Sequence, residues 1–353
     1  MKFFHTADVH LGAEPDRGFP WSRDRSRELW ESFRNVIRQA GAEHADLFLI
    51  AGDLFHRQPL VRELKEVNAL FASIPDTRIV LMAGNHDPMK KNSAYRNFPW
   101  AKNVSWFWEP MSETLEFPEL GVSVTGLSYD RKEIREPLYD RIRAGGRQPC
   151  KILLAHGGDD RHIPFSKERL LGAGFDYIAL GHIHKPQELV RDKMLYPGAL
   201  EPIDKNDTGV HGYIRGEYRD GLLTARFQPA AGREYKRLRV PVTADTTQFL
   251  LEQTIRQKIR EQGEQHFYCL TLEGRKDPGT EFLLEPLYGL GNIREMLDQT
   301  SPAYEIPQLQ KKYQGTLLEL FISSFPEEVR TQEEEKALDY GISALLEAGE
   351  ESL

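Results

Sequence analysis

The sequence predicts a layered α/β domain, followed by a smaller α+β module and a terminal helix. Three observations carry that prediction. Short apolar runs alternate with amphipathic segments through the first half, five such runs stop at side chains suited to metal or acid–base chemistry, and the composition shifts near residue 240. Alternation of this kind lays helices over a largely parallel sheet, with ligands expected beyond the carboxyl ends of the strands.

"KFFHTADV" reads as the first strand, and residues 25–40 place Leu29, Phe33 and Ile37 four apart on a helix closed by Gly41. "ADLFLIAGD" is a short strand with both faces buried, and Leu64, Val67, Phe71 and Ile74 mark a second helix over residues 60–74. "RIVLMAGNHD", "KILLAHGG" and "FDYIALGHIH" supply three more strands. Residues 206–240 read as hairpin-like strands that complete a first domain, residues 1–240. In the module over residues 241–320, Leu251, Ile255 and Ile259 form a helix ended by Gly263, and "HFYCLTLEG" follows as a strand. A segment over residues 321–353 is acidic from Pro326, with Leu338, Ile342 and Leu345 on one helical face.

The chain has 353 residues, 40% hydrophobic and 28% charged, enough for one large core and a smaller one. Its net charge of −8 argues against a generic nucleic-acid coat protein, but not against an enzyme that meets phosphates through a local patch and bound cations. No apolar run approaches the roughly 18–20 residues of a membrane span. "MKFFHTADVH" is too short in its apolar stretch to be a signal peptide. Cys150 and Cys269 have neither metal-ligand spacing nor a disulfide framework, so a reducing cytoplasm is the expected setting.

The strand ends carry the chemistry. Asp8 and His10 follow the first strand, Asp53 the second, Asn85, His86 and Asp87 the third, His156 the fourth, and His182 and His184 the fifth. Singly, each has a plain structural explanation, such as a loop start or a surface histidine; five in succession do not. Phosphodiester hydrolysis needs an activated water and cations that offset phosphoryl charge, and two divalent ions about 3.5–4 Å apart provide both. In an extended segment, residues two apart point the same way, so Asp8 with His10, and His182 with His184, could each converge. Imidazole and oxygen donors without thiolate favour Mn²⁺, with Fe²⁺, Zn²⁺ or Mg²⁺ as alternatives.

"ADVHLG", "GDLFH", "GNHD", "AHG" and "GHIH", in that order, resemble the signature of the calcineurin-like metallophosphoesterases. "DVHLG" with "GDLFH" is similar to the SbcD-type DNA-repair nucleases, and within them to the YhaO-type branch. The resemblance implies an α/β/β/α sandwich with a capping domain. It implies that Asp8, His10 and His184 hold one ion, that Asn85, His156 and His182 hold the other, and that Asp53 bridges them. By the same resemblance His86 protonates the leaving oxygen, Asp87 orients that imidazole, and His56 contacts substrate.

Two basic–aromatic stretches, "RGFPWSRDRSRELW" and "KKNSAYRNFPWAKNVSWFWEP", suggest backbone-phosphate contacts by Arg17, Arg23, Arg25, Lys90, Lys91 and Arg96, with Tyr95 or a tryptophan stacking on a base. Trp106 and Trp108 alternate as in a strand and are read as packing. His5, His44, His162, His211 and His266 carry no motif and are read as structural or surface residues. The tail helix either packs on its own domain or docks on a partner; the resemblance implies an SMC-like ATPase. The expected activity is a metal-dependent DNA exonuclease, in which a homodimer would let two sites face two DNA ends. The competing expectations are a small-molecule or cyclic-nucleotide phosphodiesterase and a regulatory scaffold of an ATPase complex.

Overall fold

The computed structural model describes residues 1–325 and 331–350. The chain divides into two compact units, Met1–Tyr235 and a second that begins at Lys236.

The first unit opens with β1 (Lys2–Thr6), α1 (Ser22–Ala42), β2 (Leu47–Ala51), α2 (Val61–Ala72) and β3 (Arg78–Met82). It continues through β4 (Val104–Trp106), β5 (Glu113–Phe117), β6 (Val122–Gly126), β7 (Cys150–His156), α3 (Lys167–Leu171) and β8 (Tyr177–Gly181). β9 (Gln187–Val190), β10 (Met194–Tyr196) and the hairpin of β11 (Gly212–Arg219) with β12 (Leu222–Pro229) complete it. The five predicted strands are present, but they do not share one sheet. One six-stranded sheet runs β12-β11-β1-β2-β3-β4 and the other β5-β6-β7-β8-β10-β9.

Period-two alternation explains the layering. Along β2, Phe48 and Ile50 point toward α1 and α2, meeting Phe33, Ile37, Val67 and Phe71. Leu47, Leu49 and Ala51 point the other way, toward Val124, Ile152, Leu154 and Ala179 of the second sheet. The far face of that sheet, with Leu153, Ile178 and Leu180, is covered by Leu170 of α3 and by Tyr139 and Phe175. The order is therefore helix, sheet, sheet, helix. This is the α/β/β/α sandwich that the resemblance implies; strand–helix alternation alone points to one central sheet because β6, "VSVTG", buries Ser123 and Thr125 among its apolar residues, and the hydroxyls interrupt the hydrophobic run. Gly41 lies inside α1 rather than beyond it, where a side chain would strike Ile74.

In the second unit, β13 (Tyr235–Val242), β14 (Phe267–Lys276) and β15 (Ile293–Pro302) form a three-stranded sheet. α4 (Gln248–Gln262) packs Leu251, Ile255 and Ile259 with Val240, Tyr268 and Leu270. Gly263 ends it with φ of +105°, a conformation that favours glycine. After α5 (Ile306–Lys312), Leu318 and Ile322 of α6 (Leu317–Ser323) meet Leu338 and Ile342 of α7 (Gln332–Glu350), with Leu345 half-buried beside them. The tail's apolar stripe is thus covered within its own unit, the first of the two expectations for it; Pro326 lies outside the described residues. Among the described residues no helix is long and apolar enough to cross a membrane.

Candidate metal centre

The loops that leave β1, β2, β3, β7 and β8 converge. Asp8, His10 and His156 are fully buried, Asp53 and Asn85 nearly so, and His182 and His184 are half-buried. His10 Nε2 stands 3.0 Å from His184 Nε2, and Asp8 completes that group. Asn85 Oδ1 lies 2.8 Å from His156 Nε2 and 3.1 Å from His182 Nδ1. Between the groups, Asp53 Oδ2 is 3.5 Å from His156 Nε2 and 3.9 Å from His10 Nε2.

Extended alternation is not what brings Asp8 and His10 together, contrary to expectation. Both are left-handed, with φ of 50° and 51°, as are Asp53 at 50° and His182 at 97°. Such a backbone costs about 1–2 kcal/mol per residue, and clustering of this strain marks a constrained site. It is held by Asp8 N donating to Gly52 O at 3.2 Å and His10 N to Asp53 O at 3.0 Å. Gly84 leaves room for the Asp53 carboxylate, which a β-carbon there would strike.

The outer faces of the imidazoles determine their inner faces. His156 Nδ1 donates to Ala51 O at 2.8 Å, His182 Nε2 to Asp159 Oδ2 at 2.7 Å, and His184 Nδ1 to Asp207 Oδ2 at 3.1 Å. Each outer nitrogen faces an acceptor and so carries hydrogen, which leaves the inner nitrogen a lone pair. Those lone pairs converge on two carboxylates and an amide oxygen, an arrangement that divalent cations satisfy and a neutral protein does not. The donors therefore fit a pair of ions. Without them, protons serve instead: burial opposes charge on His156, but Asp53 and Asp8 outweigh it and hold the ring up to about 9. His184 is likewise held up to about 9 against burial, chiefly by Asp207 and Asp8. Burial pushes Asp8 up to about 6, whereas Asp53, despite burial, is held well below the usual carboxylate range by His156 and His10.

His86 lies at the edge of this cluster. Its backbone N donates to Asp53 Oδ1 at 2.8 Å, its Nδ1 donates to His56 O at 3.2 Å, and its ring centroid is 4.8 Å from that of His10. His56 is also brought in, with Nδ1 3.4 Å from His10 Nδ1.

Four expectations need correction. Asp87 does not touch the His86 imidazole; buried, it accepts from Gly84 N at 2.9 Å, Phe55 N at 3.1 Å and Tyr95 OH at 2.7 Å, and so fastens the loop backbone. Tyr95 is 0% exposed and packs on Phe55 and Trp106, leaving no ring face for a base. Arg25 is equally buried, bonded to Glu28 and to Pro202 O, out of reach of a phosphate. Arg96 is committed to Glu109 and Trp108 O. Arg17, Arg23, Lys90 and Lys91 are exposed, and Trp106 is buried in β4 as read. Sequence reasoning missed Asp159 and Asp207, which sit in aspartate-rich loops where turn formation explains them equally well; of the two readings of His162, structural or surface, the structural one fits its Nδ1 at 2.9 Å from Asp159 Oδ1.

A family model for the calcineurin-like phosphoesterases matches residues 1–186. The uncharacterized metallophosphoesterase YhaO of Bacillus subtilis is 30% identical over 309 residues, 81% of this chain and 74% of that protein. The DNA double-strand break repair protein Mre11 of Archaeoglobus fulgidus is 39% identical over 263 residues, covering 65% of this chain and 58% of that one. The Mre11 of Methanocaldococcus jannaschii is 27% identical over 218 residues, 59% of this chain and 58% of its own. The chain thus spans a little over half the length of these Mre11 relatives.

Proposed function

The chain belongs to the calcineurin-like phosphoesterase family, hydrolases of phosphoester bonds, and on that premise we propose that it is a dinuclear-metal DNA nuclease, acting as an exonuclease. The observation that carries the reading is the convergence of Asp8, His10, Asn85, His156, His182 and His184 around the Asp53 carboxylate. Asp8, His10 and His184 would hold one ion, Asn85, His156 and His182 the other, and Asp53 both, with Mn²⁺ the expected metal. When bound, such ions polarise phosphoryl oxygens and make a water nucleophilic near neutral pH.

The protein's own groups do the rest. Asp53 Oδ1 fixes the His86 backbone, and the His56 carbonyl fixes its Nδ1. Nε2 of the half-exposed ring is then the atom that, protonated, delivers a proton to the departing oxygen. The Mre11 relatives support DNA as substrate. Exposed Leu317, Leu320 and Tyr340 on α6 and α7 are the surface we assign to an SMC-like ATPase partner.

The test is to incubate the protein with Mn²⁺ and end-labelled duplex DNA, and in parallel with cyclic nucleotides and bis-p-nitrophenyl phosphate, with EDTA and His86→Ala controls. DNA shortening abolished by both controls supports the proposal. Cleavage of small esters alone replaces it with a small-molecule phosphodiesterase, and metal binding without hydrolysis replaces it with a scaffold.

A further inference from the structure

We propose that Asp159, braced by His162, is a positioning residue for the ion held by Asn85, His156 and His182, and that it acts through the His182 ring. The inference rests on the dinuclear reading above. His182 is held at both ends of its imidazole, Nδ1 at 3.1 Å from Asn85 Oδ1 and Nε2 at 2.7 Å from Asp159 Oδ2. Its backbone is left-handed, at φ of 97°, so the ring direction is not one that the local chain would keep unaided. A carboxylate behind a ligating histidine fixes both tautomer and ring orientation. Here that carboxylate is Asp159.

Asp159 is itself held firmly, although its side chain is 45% exposed. Oδ1 accepts from the backbone N–H of Arg161 at 2.8 Å and of His162 at 2.9 Å, and His162 Nδ1 donates to it at 2.9 Å. The loop that carries it is tied down by Gly158 N donating to His162 O at 2.8 Å and Ile163 N to Ile134 O at 2.6 Å. Ile163 is fully buried, anchoring the loop in the core of the second sheet's outer face. The rings of His162 and His182 pack against each other, centroids 4.4 Å apart, and each reaches an oxygen of the same carboxylate. An imidazole, a carboxylate and an imidazole thus run from the rim to the metal donors. His184 has its own counterpart in Asp207, so each proposed ion is backed by a separate acid.

Isothermal titration with Mn²⁺ tests the assignment, because it needs no turnover. The wild type is expected to take up two ions. Asp159→Asn, nearly isosteric and at a half-exposed position, is expected to keep the unfolding temperature of the metal-free protein and one wild-type affinity while the other weakens about 10–100-fold. At two equivalents of Mn²⁺ its electron paramagnetic resonance spectrum should change from that of a coupled pair to that of an isolated ion. Asp159→Glu should recover part of the loss, and His162→Gln should weaken the same site to a smaller degree. Two ions bound to Asp159→Asn with wild-type affinity would overturn the proposal, as would equal weakening of both sites or a third ion in the wild type lost on substitution, which would make Asp159 a ligand. Fewer than two ions in the wild type overturns the dinuclear reading and this assignment with it.

Discussion

Replacing Tyr95 by phenylalanine separates a structural role from a substrate-stacking role. The hydroxyl donates to Asp87 Oδ2 at 2.7 Å, and both residues are fully buried. Phenylalanine keeps the ring contacts with Phe55 and Trp106, so the change removes one hydrogen bond and almost no packing. A bond to a charged acceptor contributes about 1.5–3 kcal/mol, and one between neutral groups about 0.5–1.5. Burial, with Asp53 adding to it, pushes the Asp87 carboxyl up to about 7, so it is anionic at pH 8 and protonated at pH 5. Because the folded value lies above the unfolded one, folding favours the protonated acid, and stability from this group is lost as pH rises from about 4 toward 7. Removing the Tyr95 donor raises the folded value further. The variant's deficit should therefore be about 2 kcal/mol at pH 8 and about 1 at pH 5. At about 2–4 °C per kcal/mol for a unit of this size, the shift at pH 8 is about 4–8 °C. Thermal unfolding of both proteins in EDTA measures it, and a DNA titration with Mn²⁺ should show unchanged affinity. Unaltered unfolding together with weakened DNA binding would refute the reasoning and restore the ring to the substrate surface.

Other outcomes follow from the same geometry. His86→Gln should slow DNA cleavage about 10²–10⁴-fold but slow bis-p-nitrophenyl phosphate cleavage far less, since that leaving group needs no proton; equal losses would remove the general-acid role. Gly84→Ala should weaken Mn²⁺ binding at least tenfold by calorimetry, because the new methyl group strikes Asp53. His5, buried between Tyr177 OH and Leu180 O, has its pKa lowered by burial to about 3. Its folded form is neutral while the unfolded chain takes a proton below about 6.5, so the metal-free protein should lose stability as pH falls through that window; urea titrations of His5→Gln should show a shallower loss.

Strand ends were legible because buried runs such as "LFLIA" stop abruptly at polar donors, and the positions after Thr6, Ala51 and Met82 are where the donors stand. Helices α1 and α2 were legible from Leu29, Phe33, Leu64 and Val67, whose spacing matches the face they bury. Chain direction at the site was not. Left-handed φ at Asp8, His10, Asp53 and His182 is imposed by hydrogen bonds between loops far apart in sequence, which no local pattern encodes. The same applies to Asp87: "GNHD" sets it beside His86, but its partner Phe55 comes from another loop and its partner Tyr95 from eight residues further along its own. Asp159 and Asp207 were hidden by composition, since an aspartate that accepts a distant imidazole reads like one that closes a turn.

His10 and His184 meet across 174 positions, one from each sheet. A growing chain that has reached only residue 150 owns Asp8, His10, Asp53 and Asn85 but none of the three later imidazoles. On the dinuclear reading proposed above, cation capture would report completed assembly, and ions seated there would fasten one half of the sandwich to the other like a clasp. A lesion that lets the halves part should release the ions while the helical content is still largely intact.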